Sequence, residues 1–360
     1  ISGSIGGGGG NDTLDYSGVT TTVTVNLATG AASKTGGIGS FENITGGAAA
    51  DDELIGPNGG AVFQVGGVDQ TRVDGVDTNG FENLTGGSGD DQFRIAAGAE
   101  VTGMIDGGGG NDSLGYADYD ESVEIDLESQ TGTALGGGFA GLSLFTGSAQ
   151  EDTVIGKEEE TTYTFTGENA FETEDTGLTD FENLMAGAEN DTFVVQEGGG
   201  LDGSIDGGEG NNALDYREFG AAVSTDLGTS ETTGFGGGFD NLDRFFGSHE
   251  EDTLSVTGSH ADVFTITNDN SGSVETPARA DEAQFSGFES VDGGAGNDMF
   301  RFENQASLAG TINGGAGDDE LEIDDRNLTT SQEYDITEDQ ISLIRSHFSV
   351  LSILINTNSD

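Results

Sequence analysis

The sequence predicts an all-β protein that winds as a parallel β-solenoid, similar to a β-helix or β-roll, with about 20 residues per coil. Three observations support this fold class. Glycine-rich turns recur at regular spacing, short stretches alternate apolar with polar residues, and a longer repeat of about 100 residues covers most of the chain. Alternation with a period of two residues is typical of a half-buried strand. No stretch before Thr337 has the spacing of an amphipathic helix.

The glycine-rich turns follow the pattern G-G-x-G-x-D-x-L-x, with Phe replacing Leu in some copies. Glycine allows backbone conformations in which carbonyl oxygens converge, and the acid adds a charged oxygen. Oxygen ligands on a turn suit a hard cation such as Ca²⁺. Five copies fit every fixed position, at Gly7–Asp15, Gly86–Arg94, Gly107–Gly115, Gly293–Arg301 and Gly314–Glu322. A sixth copy, Gly207–Asp215, carries Asn212 in place of the acid, and looser versions begin at Gly47, Gly147, Ala186 and Gly247.

The starting positions of these turns define the long repeat. Equivalent turns begin at residues 7, 107 and 207, which are 100 residues apart, and the next begins at 314. The extra seven residues of the third repeat are expected near residues 268–281. We therefore divide the chain into solenoid units 1–102, 103–202 and 203–309, followed by a partial or divergent unit at 310–360.

The turn resembles the haemolysin-type, or RTX, calcium-binding repeat. That resemblance implies that turns of successive coils share one Ca²⁺ through glycine carbonyls and the acid of each turn. Successive motif turns occur at the 21-residue steps, which pair Asp91 with Asp112, Asp191 with Asn212, and Asp298 with Asp319. Asp12 is expected to pair with a coil before residue 1. The expected ligands are Asp12, Asp91, Asp112, Asp191, Asn212, Asp298 and Asp319, with the carbonyls of Gly86, Gly107, Gly293 and Gly314.

The alternative interpretation is that these turns only permit tight corners, because Asn and Asp tolerate such conformations without an ion. Acidic pairs outside the full motif are expected to be solvated corners and not sites: Asp51–Asp52, Glu151–Asp152 and Glu251–Asp252. His249 and His260 are expected at the surface. No nucleophile elbow, H-E-x-x-H or P-loop motif is present, and the basic residues do not cluster in sequence, so no enzyme is predicted.

Charge limits the partners of the chain. Its 360 residues include 67 Asp and Glu but only 10 Lys and Arg, which gives a net charge of −57. Nucleic acid and anionic membranes need a basic surface, so neither is an expected partner. No apolar run is long enough to span a membrane. Such acidity favours counterions, either calcium or the molar salt in which a halophilic protein works.

The resulting hypothesis is a secreted or cell-surface segment, structural or adhesive, that calcium stiffens and that belongs to a larger protein. Its partners would be neighbouring coils of the same chain, with a surface glycan or another cell-surface ligand as further candidates. One alternative is a filament subunit that stacks end to end as a homopolymer. The other alternative is a polysaccharide-active enzyme on the same fold, which would need a cleft where arginines and acids converge.

Overall fold

The computed structural model describes residues 2–324, 332–337, 340–346 and 351–356. Every regular element in these ranges is a β-strand, which confirms the all-β prediction. Within the same ranges no helix is long and apolar enough to cross a membrane.

The strands are numbered in chain order. The first nineteen are β1 Ile5–Gly6, β2 Thr13–Asp15, β3 Thr24–Asn26, β4 Ala31–Ala32, β5 Ile38–Gly39, β6 Asn43–Thr45, β7 Glu53–Ile55, β8 Val62–Gly67, β9 Gln70–Val73, β10 Val76–Asn79, β11 Asn83–Thr85, β12 Gln92–Ala96, β13 Ile105–Asp106, β14 Ser113–Asp118, β15 Glu124–Asp126, β16 Thr131–Gly132, β17 Phe139–Ala140, β18 Leu144–Thr146 and β19 Thr153–Ile155. The others are β20 Thr162–Gly167, β21 Ala170–Glu172, β22 Gly177–Thr179, β23 Asn183–Met185, β24 Thr192–Val195, β25 Ser204–Asp206, β26 Ala213–Asp215, β27 Ser224–Asp226, β28 Glu231–Thr232, β29 Gly238–Asp240, β30 Arg244–Phe246, β31 Thr253–Ser255, β32 Val263–Asn268, β33 Ser271–Glu275, β34 Ala283–Ser286, β35 Ser290–Asp292, β36 Met299–Glu303, β37 Ile312–Asn313, β38 Asp318–Asp324, β39 Gln332–Thr337, β40 Gln340–Ser346 and β41 Leu351–Asn356.

Contacts divide the chain into two compact units. The first comprises residues 1–157 and 170–184, and the second comprises residues 158–169 and those from 185 onward. Most strand pairs in both units are parallel, and their registers align apolar residues of successive strands.

In the first unit, two rows of cross-strand neighbours carry the core. One row runs through strands β8, β12, β14, β18 and β22, where Phe63, Phe93, Leu114, Phe145 and Leu178 stand opposite one another in turn. All five are buried, and the rings of Phe63 and Phe93 stack with centroids 4.4 Å apart. The other row runs through β3, β7, β11, β13 and β17.

The second unit repeats this design with its own residues. Strands β20, β24, β26, β30 and β34 align Tyr163, Phe193, Leu214, Phe245 and Phe285. These side chains are also buried. A fully buried aromatic or aliphatic side chain contributes about 1.5–3 kcal/mol relative to an exposed one. Since each strand is only a few residues long, cohesion comes from these rows and not from any single strand.

The predicted coil length of about 20 residues is wrong for most steps of the parallel pairing. Val25 pairs with Leu54 and Leu54 with Leu84, and Ile105 pairs with Phe139, so neighbouring strands are separated by 29 to 34 residues. The 21-residue interval occurs only where two motif turns follow each other, as between Leu84 and Ile105. We call the stretch of chain from one strand to its next parallel partner a pass. The longer passes contain antiparallel hairpins, such as β3 with β4 and β15 with β16.

A larger antiparallel excursion interrupts the parallel pairing once in each repeat. In the first unit β9 lies antiparallel between β8 and β10, and in the second unit β33 lies antiparallel between β32 and β34. The connection from β9 to β10 consists of residues 74–75, and the one from β33 to β34 consists of residues 276–282. The third repeat is therefore longer than the first in the loop between β33 and β34, and the strand register on either side is kept.

The last described strands depart from the parallel pattern. Strand β41 pairs antiparallel with β38, and β39 pairs antiparallel with β40. Residues 325–331, 338–339, 347–350 and 357–360 of the predicted last unit lie outside the described residues.

Candidate metal centre

The acids of the paired motif turns are buried, and the structure brings each predicted pair together. Asp112, Asp191 and Asp319 have no exposed surface, and neither have Asp91 and Asn212. In each pair the second side chain accepts the backbone N–H of the first residue. The donor-acceptor distances are 2.7 Å from Asp91 N to Asp112 Oδ1, 2.9 Å from Asp191 N to Asn212 Oδ1, and 3.0 Å from Asp298 N to Asp319 Oδ1.

The turns nevertheless differ in whether a backbone N–H donates a hydrogen bond to the second carboxylate oxygen, Oδ2. At Asp91 both oxygens accept backbone N–H groups, Oδ1 from Ala61 at 2.6 Å and Oδ2 from Gly87 at 2.6 Å. At Asp112 and Asp298 one oxygen accepts a backbone N–H, whereas Oδ2 is buried without a hydrogen-bond partner. The Oδ2 atoms of Asp12, Asp191 and Asp319 are likewise buried and unpartnered.

The residue just before the first glycine explains part of this difference. In the Asp112 turn, the N–H of Gly108 donates to Asp106 Oδ1 at 3.0 Å and does not reach Asp112. Asp292 captures the N–H of Gly294 in the same way, and Asn313 captures that of Gly315. In the Asp91 turn this position is Thr85, and the N–H of Gly87 remains free to donate to the acid. We call a turn open when its acid lacks this donor, and closed when the acid receives it.

The first glycine of each turn leaves room for the acid. An ideal Cβ built at Gly107 would lie 2.6 Å from Asp112 Oδ2 and closer still to the carbonyl oxygen of Gly141. Ideal Cβ positions at Gly86, Gly293 and Gly314 fall equally near the acids of their own turns. The predicted carbonyl ligands therefore belong to residues that border each buried carboxylate, and any side chain there would fill the space beside it.

Burial also affects protonation of these acids. It raises the pKa of Asp191 and of Asp298 to about 6, and it raises the pKa of Asp112 as well. At Asp298 the negative charges of Asp262, Asp319 and Asp292 act in the same direction. An ionised carboxylate in these positions is therefore unfavourable unless a positive charge or a donor faces it.

Without calcium, the folded protein is expected to become more stable as the pH falls from about 7 to about 5. Burial raises the folded-state pKa of Asp298 to about 6, above the ordinary aspartate value of 3.8, so the folded state binds the proton more tightly. The penalty of the ionised acid is complete above pH 6 and disappears as the pH approaches 4. Thermal unfolding in calcium-free buffer measures this, and Asp298→Asn should flatten the dependence. A midpoint that falls on acidification would contradict the assignment.

The inner acids of the remaining pairs are buried, so the prediction of solvated corners is wrong for them. Asp52, Asp152 and Asp252 have no exposed surface. At Asp152, Oδ1 accepts from Val123 N at 2.6 Å and from the Ser148 hydroxyl at 3.0 Å, and Oδ2 accepts from Ser148 N. The carboxylate joins two passes of the chain through hydrogen bonds that its own turn and a distant strand supply. The Asp152 and Asp252 turns are therefore closed. At Asp52, Oδ2 accepts the N–H of Gly47, one position earlier in the turn.

Glutamates of the recurring F-E-N-L and F-E-S-V segments complete this network, a role that the sequence analysis missed. Glu82 accepts the N–H of Asp52 at 2.8 Å, Glu182 accepts that of Asp152 at 2.8 Å, and Glu289 accepts that of Asp252 at 2.9 Å. The sequence feature that could have predicted this role is the recurrence of these glutamates at the same position of each repeat.

A second missed residue lies next to the Asp298 turn. Asp262 is buried, neither of its carboxylate oxygens has a hydrogen-bond partner, and its N–H donates to Asp298 Oδ1 at 2.9 Å. His260, predicted at the surface, is half-buried, and its Nδ1 is buried without a partner. The sequence signal was Gly258-x-x-x-Asp262-x-Phe264, with His260 replacing the third glycine of the motif.

Three arginines of the second unit, distant in sequence, face the rings of two adjacent phenylalanines, Phe245 and Phe246. The guanidinium carbon of Arg217 lies 4.8 Å from the ring centroid of Phe246, and that of Arg279 lies 5.8 Å from the centroid of Phe245. Arg217 forms an ion pair with Asp215, and Arg279 donates to the carbonyl of Leu242. Arg244 also faces the ring of Phe246. These contacts tie Arg217 and Arg279 to the fold.

The donor set fits a hard cation held largely by backbone oxygens. Among the described residues, no three Asp, Glu or His side chains lie close enough together to hold a metal alone. An ion at an open turn would therefore need carbonyl oxygens beside the single free carboxylate oxygen, as Ca²⁺ accepts. The buried, unpartnered Oδ2 atoms are the observation that favours such an ion.

Comparison with protein-family models gives no match, and a search of curated proteins finds no similar sequence. The resemblance of the turns to the RTX repeat therefore stays a prediction.

Proposed function

We propose that the chain is a calcium-stabilised β-solenoid segment of RTX type with a structural or adhesive role outside the cell. One observation carries the proposal: the open turns place carboxylate oxygens in the interior with no hydrogen-bond donor. A buried carboxylate without a partner is strongly unfavourable, and a bound cation removes the penalty. The residues proposed to hold Ca²⁺ are Asp112, Asp298 and Asp319, each with carbonyl oxygens of its neighbourhood. They belong to the open turns in which the preceding residue accepts the N–H of the second glycine.

The parallel pairing supports the solenoid part of the proposal. Neighbours such as Phe63, Phe93 and Leu114 follow one another at intervals of 30 and 21 residues in parallel register. A chain that returns to the same position after each pass would produce this pattern. The rows of buried side chains would then be the core of the winding.

The net charge supports the extracellular part. A chain with a charge of −57 repels itself when compact, and this repulsion weakens when cations bind its carboxylates. Calcium is abundant outside cells, so binding there would couple folding to export. Molar salt is the competing explanation for the acidity, because it screens surface charge without filling specific sites.

Calcium should raise the thermal unfolding midpoint by about 10 °C or more, since binding at 100 times the dissociation constant adds about 2.7 kcal/mol for each site. Unfolding is followed by circular dichroism in EGTA, in millimolar Ca²⁺, in millimolar Mg²⁺ and in molar NaCl. Magnesium should have a smaller effect, because it prefers small octahedral sites that retain water.

Equal midpoints in EGTA and in Ca²⁺ would reject the calcium role. Stabilisation by molar NaCl alone, with no further effect of Ca²⁺, would assign the acidity to salt adaptation instead. Asp298→Asn with Asp319→Asn provides the site control, because it should bind fewer ions and respond less to Ca²⁺.

A further inference from the structure

Asn212 occupies a motif turn in place of the acid, and every polar atom of its side chain has a partner. Its Nδ2 lies 2.8 Å from the carbonyl oxygen of Gly207, 3.0 Å from that of Asn241 and 3.3 Å from that of Glu209. Its Oδ1 accepts the N–H of Asp191 at 2.9 Å. Two amide hydrogens thus serve three carbonyl oxygens in a fully buried position.

The Asp112 turn has the same geometry with one atom exchanged. Asp112 Oδ1 accepts the N–H of Asp91, as Asn212 Oδ1 accepts that of Asp191. An ideal Cβ at Gly107 would lie 2.6 Å from Asp112 Oδ2, and one at Gly207 would lie 2.7 Å from Asn212 Nδ2. In both turns a backbone carbonyl oxygen is the other neighbour of that point.

The rest of each turn also matches. Asp106 Oδ1 captures the N–H of Gly108, and Asp206 Oδ1 captures the N–H of Gly208 at 2.9 Å. Neither turn can therefore offer this donor to its central side chain. Asp112 therefore turns a carboxylate oxygen, which can only accept, toward backbone carbonyl oxygens. Asn212 turns its Nδ2 group, which carries two donor hydrogens, toward the same kind of oxygens.

We infer that the Nδ2 group of Asn212 takes the place of the bound cation, so that this turn needs no ion while the Asp112 turn requires one. This inference rests on the proposed calcium function and deepens it. Asn212 would be the residue that decides the ion requirement of its turn, and this motif turn of the second unit would be folded before calcium binds. Asn212 itself would not be a calcium ligand.

Two exchanged variants and one control test the inference at about pH 8. In EGTA, Asp112→Asn should raise the unfolding midpoint by about 2–4 °C, because an amide replaces an unpartnered carboxylate. Asn212→Asp should lower it by a similar amount. In Ca²⁺, native mass spectrometry should show one ion fewer for Asp112→Asn and one more for Asn212→Asp. Asp152→Asn is the control, because Asp152 Oδ2 accepts the N–H of Ser148, and its midpoint should fall in both buffers.

A midpoint of Asp112→Asn that is equal to or below that of the parent protein in EGTA would overturn the inference. So would an unchanged ion count for Asn212→Asp in a parent protein that binds calcium. If Asn212→Asp fails to fold, Asp112→Asn decides alone. Failure of the proposed function gives a different result: the parent protein binds no calcium, yet Asp112→Asn and Asp152→Asn still shift the midpoint in EGTA in opposite directions.

Discussion

Replacing Asp152 by alanine is expected to lower the free energy of unfolding by about 3 kcal/mol or more. The carboxylate accepts two buried backbone N–H groups, from Val123 and Ser148, and the Ser148 hydroxyl. Alanine leaves these donors buried without an acceptor, and each costs about 1–3 kcal/mol. The lost contact also joins two passes of the chain, residues 29 apart in sequence, which no local interaction replaces.

Urea unfolding followed by circular dichroism measures this effect, with and without calcium. Glu151→Ala is the matched control, because Glu151 is the exposed neighbour of Asp152 and its loss should change stability by no more than about 0.5 kcal/mol. The loss for Asp152→Ala should be the same in EGTA and in Ca²⁺, since the closed turn holds no ion. A loss seen only in Ca²⁺ would show that Asp152 binds the cation instead.

Gly107→Ala is the second large effect that we expect. The new methyl group would lie 2.6 Å from Asp112 Oδ2 and against the backbone carbonyl oxygen of Gly141. Overpacking of this kind typically costs about 1–3 kcal/mol. The methyl group also occupies the space beside the free carboxylate oxygen, so the variant should bind one calcium ion fewer.

Gly109→Ala gives a control within the same turn, because its methyl group would find its nearest neighbour, Ser88 Cα, at 3.9 Å. It should keep the ion count and most of the stability of the parent protein. Equal losses for the two variants would mean that the space beside Asp112 has no special role.

Local sequence patterns predict the strand class and the pairing of turns at 21-residue steps. They do not reveal the length of the other passes, such as the 29 residues from Val25 to Leu54. A shorter pass without a hairpin and a longer pass with one show the same alternation of apolar residues. The hairpin of β3 with β4 shows which arrangement occurs.

The difference between open and closed turns was hidden for another reason. Asp91 and Asp112 belong to turns that fit the nine-residue motif equally well. The residues that separate them, Thr85 and Asp106, lie one position before the motif, and their effect depends on which acceptor captures a single backbone N–H. Long-range partners such as Glu82, 30 residues from Asp52, are likewise fixed by packing and have no local signature.

The antiparallel excursions have a consequence for how this chain can change. The connection after β9 is two residues long at 74–75, the one after β21 spans 173–176, and the one after β33 spans 276–282. Strands on either side keep their partners despite this variation, since β34 still pairs with β30 and β22 with β18. This connection therefore differs in length among the repeats without shifting the register, and a protein engineer could graft a foreign peptide there for display.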